Sequence, residues 1–497
     1  MKYVSLIAFA SFVSPFCLKY SPTTPRQRTI FSLSTSRLID DPNSKEQTND
    51  DSELVLSNLQ SIHVPIASSF LPRTFNPHPL LKNHHLQTIS GVFLRYDDDN
   101  FNTIGSSCYL PKDSIKDAFN VIGKSIIQSF PKTFTFMKNN SLSETANDFW
   151  DERERIDTPD GDFFHVDRKY SKKEKEEERF TVIIVHGLES NSNSSLSVDL
   201  ARAFLTIANA SEVACINFRG CSGVPSKRAF GYHAGFTDDL RQYLEIRKSR
   251  DSSPIFISGF SLGSNVVLKC LGELQSSAFT EYNIHGAAIV ACPFNLEPHY
   301  RRLIDPPLNR ILYTSNLLKS MKKKVQYLLD TFCDGNTQTA TFDYNKCINA
   351  NTIAEVEDGL IAPIFGFDDK FDYYRKTASI NVAHRVVVPT LILNSKDDPF
   401  FEPTYFPLEL DCVRGAGEGI SEGTNEENGG IVVDKKRSKA PLRLVRTEYG
   451  GHLGYMFHVQ DKGYNEEGEN LDLQSNVSWA SAELARFVQH VRSSTTS

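Results

Sequence analysis

From Arg153 onward the chain is a succession of short apolar runs separated by amphipathic stretches. In RERIDTPDGDFFHVDRKY (153–170) polar and apolar residues alternate on either side of Pro159-Asp160-Gly161, which predicts two strands joined by a tight turn. RFTVIIVHG (179–187) is a continuous apolar run ending at glycine. EVACINFRG (212–220), SPIFISG (253–259), HGAAIVACP (285–293), VPTLILNS (388–395) and PLRLVRTEY (441–449) extend the series. Between these runs, SVDLARAFLTIANA (197–210) and SNVVLKCLGEL (264–274) space their apolar residues at helical intervals, as does SWASAELARFVQHV (478–491) near the end. Thr237, followed by Asp238 and Asp239, predicts a helix start with Thr237 as N-cap and two carboxylates where the dipole favours them. Strands that are apolar on both faces and alternate with helices imply a parallel sheet covered on both sides.

Two blocks interrupt the alternation. Residues 294–385 are helical in pattern and fall between strands, the position of a cap over the sheet's carboxyl edge. Within them ILYTSNLLKSMKKKVQYLL (311–329) carries basic residues on one side and Leu, Val and Tyr on the other. That pattern suits a cap helix, and it also admits peripheral contact with an anionic membrane. GAGEGISEGTNEENGG (415–430) reads as a surface loop, part of a segment at about 411–438, and KKEKEEER (172–179) as a solvated one. Residues 97–146 show no clear period and read as an insertion or an irregular helical arm.

The first residues differ in kind. An apolar run, VSLIAFASFV (4–13), precedes the Ser-, Thr- and Arg-rich CLKYSPTTPRQRTIFSLSTSRL (17–38), and the first acidic residue is Asp40. This is the composition of a two-part presequence (1–39) directing the chain to a plastid or another organelle, with cleavage on arrival. A secretory signal or a short membrane anchor is the alternative. Residues 40–69 come next as a polar linker, so ordered structure is expected from Phe70 to about 495. With 497 residues the chain can bury a full core, and its net charge of −7 offers no footprint for nucleic acid. Its nine cysteines include no C-x-x-C pair, so they read as mostly buried, reduced thiols rather than a zinc site or a disulfide framework.

Chemistry concentrates at three strand ends. Gly259-Phe260-Ser261-Leu262-Gly263 fits G-x-S-x-G, which sets a serine on a sharp strand-to-helix turn. A serine hydroxyl attacks only when a base takes its proton, and the base needs a third group to hold its tautomer. Asp397-Asp398 follows VPTLILNS, and His452 follows PLRLVRTEY, so serine, acid and base arise in the chain order that such a sheet requires. One of the two aspartates accepts from His452 and the other caps the turn. For the oxyanion of an acyl-transfer intermediate, the amide of Leu262 is one donor. The loop after the first apolar strand supplies the second, assigned to Leu188. Three other features weigh less. His84-His85 suggests a metal pair but lacks a third ligand. His233 and Asp238 fit an H-x4-D acyltransferase spacing, although Asp238 already serves a helix start. Cys221 has little basic company and reads as buried structure.

Taken together, VHGLESNSNS, INFRGCSGVP, YHAGFTDDLR, GFSLGSNVVLKCLGE, LILNSKDDPF and YGGHLGY resemble family 4 of the α/β-hydrolases. That group includes bacterial short-chain esterases, yeast medium-chain ester synthases and animal monoacylglycerol lipases. KNHHLQTI (82–89), the 153–164 hairpin and APIFGFDDKFDYYRKTAS (362–379) resemble further blocks of the same family, so the likeness covers about 75–95 and 150–490. It implies a doubly wound, mostly parallel eight-stranded sheet with an inserted helical cap, Ser261 as nucleophile, His452 as base and Asp398 as the acid. It implies no metal and no cofactor. The expected activity is hydrolysis of a small acyl ester or lipid through an acyl-enzyme. Acyl transfer to an alcohol by the same three residues, or a non-catalytic binding role, are the alternatives.

Overall fold

The computed structural model describes residues 50–77, 82–93, 149–172, 179–229, 231–413, 440–455 and 477–496. The presequence, residues 40–49 of the expected linker, the 97–146 insertion and nearly all of the 411–438 loop lie outside the described residues. Eight strands form one sheet: β1 (Glu152–Asp157), β2 (Phe163–Tyr170), β3 (Thr181–Val185), β4 (Glu212–Asn217), β5 (Ile255–Phe260), β6 (Ile284–Val290), β7 (Thr390–Ser395) and β8 (Leu442–Thr447). Their spatial order is β1-β2-β4-β3-β5-β6-β7-β8. The β1–β2 hairpin joins β4 antiparallel, and every later pairing is parallel.

All residues of β3, β4, β5 and β7 are buried, because helices cover both faces of the sheet. The two-residue period sorts them. Ile183 and Val185 enter one core with α4 (Asp238–Arg250) and α5 (Leu262–Leu274). Val182 and Ile184 enter the other with α3 (Ser195–Thr206) and α8 (Trp479–Thr496). Between β6 and β7 the chain leaves the sheet and builds the cap. This includes a 3₁₀ turn at Tyr300–Leu303, a π-helical turn at Arg310–Thr314, α6 (Ser315–Phe332), a second π turn at Glu357–Ile361 and α7 (Lys370–Thr377).

The N-terminal expectation needs correction. Residues 50–69 are not linker but a helix, α1 (Asp50–Ser69), laid on the core of the sheet. The acidic, polar character of 40–53 masks the helical pattern of the residues after it. Leu56 and Leu59 pack on the core, and Gln60 Nε2 donates to the carbonyls of His384 (3.0 Å) and Val386 (2.9 Å). His63 Nδ1 donates to the Val387 carbonyl at 2.6 Å. Next in the chain is α2 (His84–Phe93). A second correction concerns Thr237. It precedes α4 as expected, but its backbone is already helical and its hydroxyl goes to Glu273 at 2.8 Å instead of capping.

The hairpin turn is fastened to the sheet by a buried arginine. Arg219, just past β4, bonds Asp239 of α4 through Nε and Nη2 (2.7–3.1 Å) and reaches Asp160 of the turn at 2.6 Å. Burial raises the Asp239 carboxyl to about 6 despite the guanidinium. Removing one member of such a pair strands a buried charge. Arg219→Ala is therefore expected to cost about 3–5 kcal/mol of folding stability, read as a drop in the urea midpoint at unchanged m-value; a loss of under about 1 kcal/mol would mean Asp239 has another partner.

Candidate active site

Ser261 is the single residue between the end of β5 and the start of α5, at φ 54° and ψ −123°. Two glycines make that turn possible. A Cβ on Gly263 would lie 2.2 Å from the Val185 carbonyl oxygen, and one on Gly259 would lie 2.9 Å from the Gly263 carbonyl carbon. The start of α5 therefore presses directly on the end of β3. The Ser261 N–H donates to the Val290 carbonyl at 3.0 Å, and Ser264 Oγ donates to the carbonyls of Val290 and Gly259.

The serine hydroxyl meets His452 Nε2 at 3.0 Å, and His452 Nδ1 meets Asp398 Oδ2 at 2.8 Å. Asp398 and His452 are both buried. These are the three residues named from the sequence, drawn together from the carboxyl ends of β5, β7 and β8. A carboxylate only accepts, so Asp398 sets the proton on Nδ1 and leaves Nε2 free to accept from the serine. The imidazole is held by aromatic contacts as well. Phe400 stacks on it with centroids 4.0 Å apart and planes 6° apart, and Phe401 meets it edge-on at 5.4 Å.

The two aspartates divide the work differently from the expectation. Asp398 both accepts from His452 and caps the turn, its Oδ1 receiving the Phe400 N–H at 2.8 Å. Asp397 holds the histidine loop instead, accepting from the Gly451 N–H at 2.9 Å.

Sequence reasoning gave no role to α2, and the structure does. The His452 N–H donates to Thr88 Oγ1 at 2.9 Å, and that hydroxyl donates in turn to the His84 carbonyl at 2.8 Å. A Cβ on Gly451 (φ 57°) would lie 2.6 Å from the His84 oxygen, and one on Gly454 would lie 2.4 Å from the Gln87 oxygen. The histidine loop is thus seated on residues 84–88. Motif spacing cannot reveal a contact between residues so far apart; the signal was the 82–89 block, which stood without an assigned task.

The oxyanion candidates lie beside the serine. A Cβ on Gly187 would lie 3.2 Å from Ser261 Cβ. His186 Nε2 accepts from the Phe218 N–H at 3.1 Å, so its proton sits on Nδ1, which donates to the Gly187 carbonyl at 2.8 Å. Burial holds the His186 pKa at about 4, keeping it neutral. In a planar trans peptide the Leu188 N–H points opposite to that pinned carbonyl. Neither Leu188 nor Leu262 donates its N–H to any acceptor among the described residues. The next amide is taken, since the Glu189 N–H donates to Tyr232 Oη at 2.8 Å. The Glu189 carboxylate meets Lys324 (3.1 Å) and Ser320 (3.0 Å) of α6. Burial opposes its ionisation, but the ammonium and the hydroxyls outweigh that and hold its pKa below the usual range.

The cap also touches the site elsewhere. Tyr313, in the first π turn, bonds His85 Nδ1 at 3.0 Å and packs against Phe400 with centroids 4.9 Å apart. Asn309 Nδ2 donates to the Pro399 carbonyl at 2.6 Å. Tyr373 and Tyr374 are both 1% exposed and sealed into a small cluster against which Leu262 packs. They support the site from behind.

No family model matches the chain. Individual relatives do. It is 28% identical over 306 residues to the putative esterase YheT of Escherichia coli, covering 61% of this chain and 78% of the relative. It is 25% identical over 325 residues to a Saccharomyces cerevisiae medium-chain fatty acid ethyl ester synthase/esterase, covering 62% and 61%. A yeast monoacylglycerol lipase is 22% identical over 423 residues, 82% of each chain. The chain has the fold of the α/β-hydrolases and is similar in sequence to esterases and lipases of that family.

In this α/β-hydrolase fold the lesser motifs carry no chemistry of their own. The His84 and His85 rings lie side by side with centroids 4.1 Å apart and planes tilted by 49°, and among the described residues no group of three His, Cys, Asp or Glu side chains is arranged to hold a metal. His233 is enclosed by Phe365, Phe367 and Tyr373, and burial lowers its pKa to about 3, while Asp238 is exposed. Burial also raises the Cys221 thiol to about 11, against a role as a thiolate.

Asp397 yields a pH prediction. Burial raises its carboxyl to about 6, and its Oδ2 has no hydrogen-bond partner. A carboxyl whose folded pKa is raised favours folding in its neutral form. That contribution is fully present below pH ~4 and lost as the pH rises through about 6. Asp397→Asn is therefore expected to be more stable than wild type at pH 8, by about 1–2 kcal/mol after allowance for partial exposure, and to lose that advantage below pH ~4. Urea unfolding at the two pH values tests it; a variant less stable at pH 8 would show that the ionised carboxylate is needed for the Gly451 contact.

Proposed function

We propose that this protein hydrolyses carboxylic esters with Ser261 as nucleophile, His452 as general base and acid, and Asp398 as its orienting carboxylate. The observation that carries the reading is the unbroken hydrogen-bond chain from Ser261 through His452 to Asp398. Ser261 Oγ attacks the ester carbonyl while His452 Nε2 takes its proton, and buried Asp398 stabilises the imidazolium that results. The carbonyl oxygen, now negative, is received by the N–H groups of Leu188 and Leu262, each worth about 3–4 kcal/mol to the transition state. His452 then returns the proton to the departing alkoxide. In the second half-reaction it activates a water that releases the acid and frees Ser261. No metal or redox group is needed for any of these steps.

The substrate class we propose is a short- or medium-chain acyl ester or a monoacylglycerol, supported by the esterase and lipase names of the relatives. The relative named ester synthase/esterase keeps one alternative in view, transfer of the acyl group to an alcohol in place of water.

Fluorophosphonate labelling followed by ester kinetics is the decisive experiment. Ser261→Ala should abolish labelling, and Ser261→Ala or His452→Ala should lower kcat by about 10⁶-fold. Asp398→Asn should be milder, at about 10⁴-fold, whereas Asp397→Asn should stay within a few-fold of wild type. Equal turnover by wild type and Ser261→Ala would end the proposal. When an acyl thioester, water and a short alcohol are supplied together, free acid should be the main product. Ester as the dominant product at modest alcohol concentration would assign the protein to acyl transfer.

A further inference from the structure

The cap carries a feature that the proposed chemistry does not use. A cleft of about 550 Å³ opens along α6, bordered by Arg310, Lys319, Lys322 and Lys323, with Gln326 and Asn351 in its polar wall. No carboxylate lines it, and none of the four cations forms an ion pair with a described residue. The contrast with the adjacent Lys324 is direct, since that residue is paired to Glu189. Two acids near it in sequence are already engaged. Glu355 accepts from the N–H groups of Asn351 and Thr352, and Asp330 accepts from Gln326.

Such an arrangement is unfavourable by itself. Lys319 lies three and four residues before Lys322 and Lys323, the spacing at which like charges repel on a helix. Lys319 and Lys322 are also half-buried, so water screens them incompletely. An anion in the cleft would relieve both costs. The surroundings say what kind. Leu308 and Ile311 flank Arg310 and are 45% and 42% exposed, and Tyr327 on the same helix as the lysines is 39% exposed. A soluble anion gives no reason to hold large apolar side chains in water beside its site, whereas a lipid headgroup brings an apolar phase with it. The concentration of positive charge stands on a chain of net charge −7, so it is local to this face.

We propose that this cleft binds the phosphate of an anionic membrane lipid, docking the cap on the bilayer surface with Leu308 and Ile311 at the acyl boundary. The contact is peripheral, because among the described residues no helix is long and apolar enough to cross a membrane. It is independent of whether Ser261 is the nucleophile.

The test uses the full chain and vesicles of phosphatidylcholine with and without phosphatidic acid. Wild type should sediment with the anionic vesicles, less so as salt is raised, and poorly with the neutral ones. The triple variant K319Q/K322Q/K323Q, with its melting temperature as the folding control, should bind the anionic vesicles at least about tenfold more weakly. A second readout is local to the cleft: anionic vesicles should protect Lys319, Lys322 and Lys323 of wild type from an amine-reactive label, and this decides the matter if the variant does not fold. Variant binding equal to wild type, or no preference of wild type for anionic vesicles, would overturn the proposal. So would protection by inorganic phosphate but not by vesicles, which would make a free anion the ligand.

Discussion

The site depends first on one residue's backbone. Ser261 occupies a conformation that side chains other than glycine rarely adopt, and holding it there costs on the order of 1–3 kcal/mol. The surrounding sheet supplies that energy through hydrogen bonds from Ser258, Ser261 and Ser264 to the neighbouring strand β6, and through the close seating of α5 on the end of β3. Relaxing the turn would carry the hydroxyl away from His452 and the Leu262 amide away from the Gly187 loop together. The strain and the proposed chemistry are therefore one design element. It explains why glycine stands on both sides of the serine in terms of distances rather than motif.

The histidine is held in a different way. Its loop contains no regular structure, so its position is set by contacts from three directions. Thr88 holds its N–H, Asp397 and Ser395 hold Gly451 through its N–H and its carbonyl, and Phe400 and Phe401 enclose the ring. A loop of this kind is accurate only while all of its supports are present. That shifts importance from the three proposed catalytic residues to the segments that position them, α2 above all.

The range of each interaction decided whether it could be read from the chain. β3 to β7 were legible as largely apolar strands within the sheet, such as TVIIV and TLILNS, and β8 as the half-buried run LRLVRT. Ser261, His452 and the Asp397-Asp398 pair were legible because each lies just past such a strand. The resemblance to a known family pointed to Asp398, and it is Asp398 that meets His452 Nδ1 while Asp397 turns to the Gly451 N–H. α1 was missed because its amphipathic signal is weak and an acidic, polar segment leads into it; its fit depends on the carbonyls of 384–387, more than three hundred residues away. Thr237 looked like a cap because the local rule favours it, and lost that task to Glu273, a partner on another helix. Local chemistry is visible in sequence, and long-range partners are not.

The cap shows how far such long-range partners bind the molecule together. Lys324 and Ser320 grip Glu189, which adjoins the proposed oxyanion donor Leu188. Asn309 holds the Pro399 carbonyl beside Asp398, and Tyr313 bonds His85 next to the seat of the histidine loop. One cap segment, residues 309–324, thus contacts the surroundings of all three parts of the site. Arg310, Lys319, Lys322 and Lys323 belong to that same segment and face the cleft. Tyr313 and Thr314 are neighbours on one π turn, the first directed to His85 and the second lining the cleft. A ligand that shifted this segment would act on the Leu188 loop, the Asp398 turn and the seat of the His452 loop at once, because the segment bonds the residues beside each of them. The coupling needs no conducting pathway, only a continuous helical segment with a charged outer surface and four hydrogen-bonding side chains, Asn309, Tyr313, Ser320 and Lys324, on its inner one.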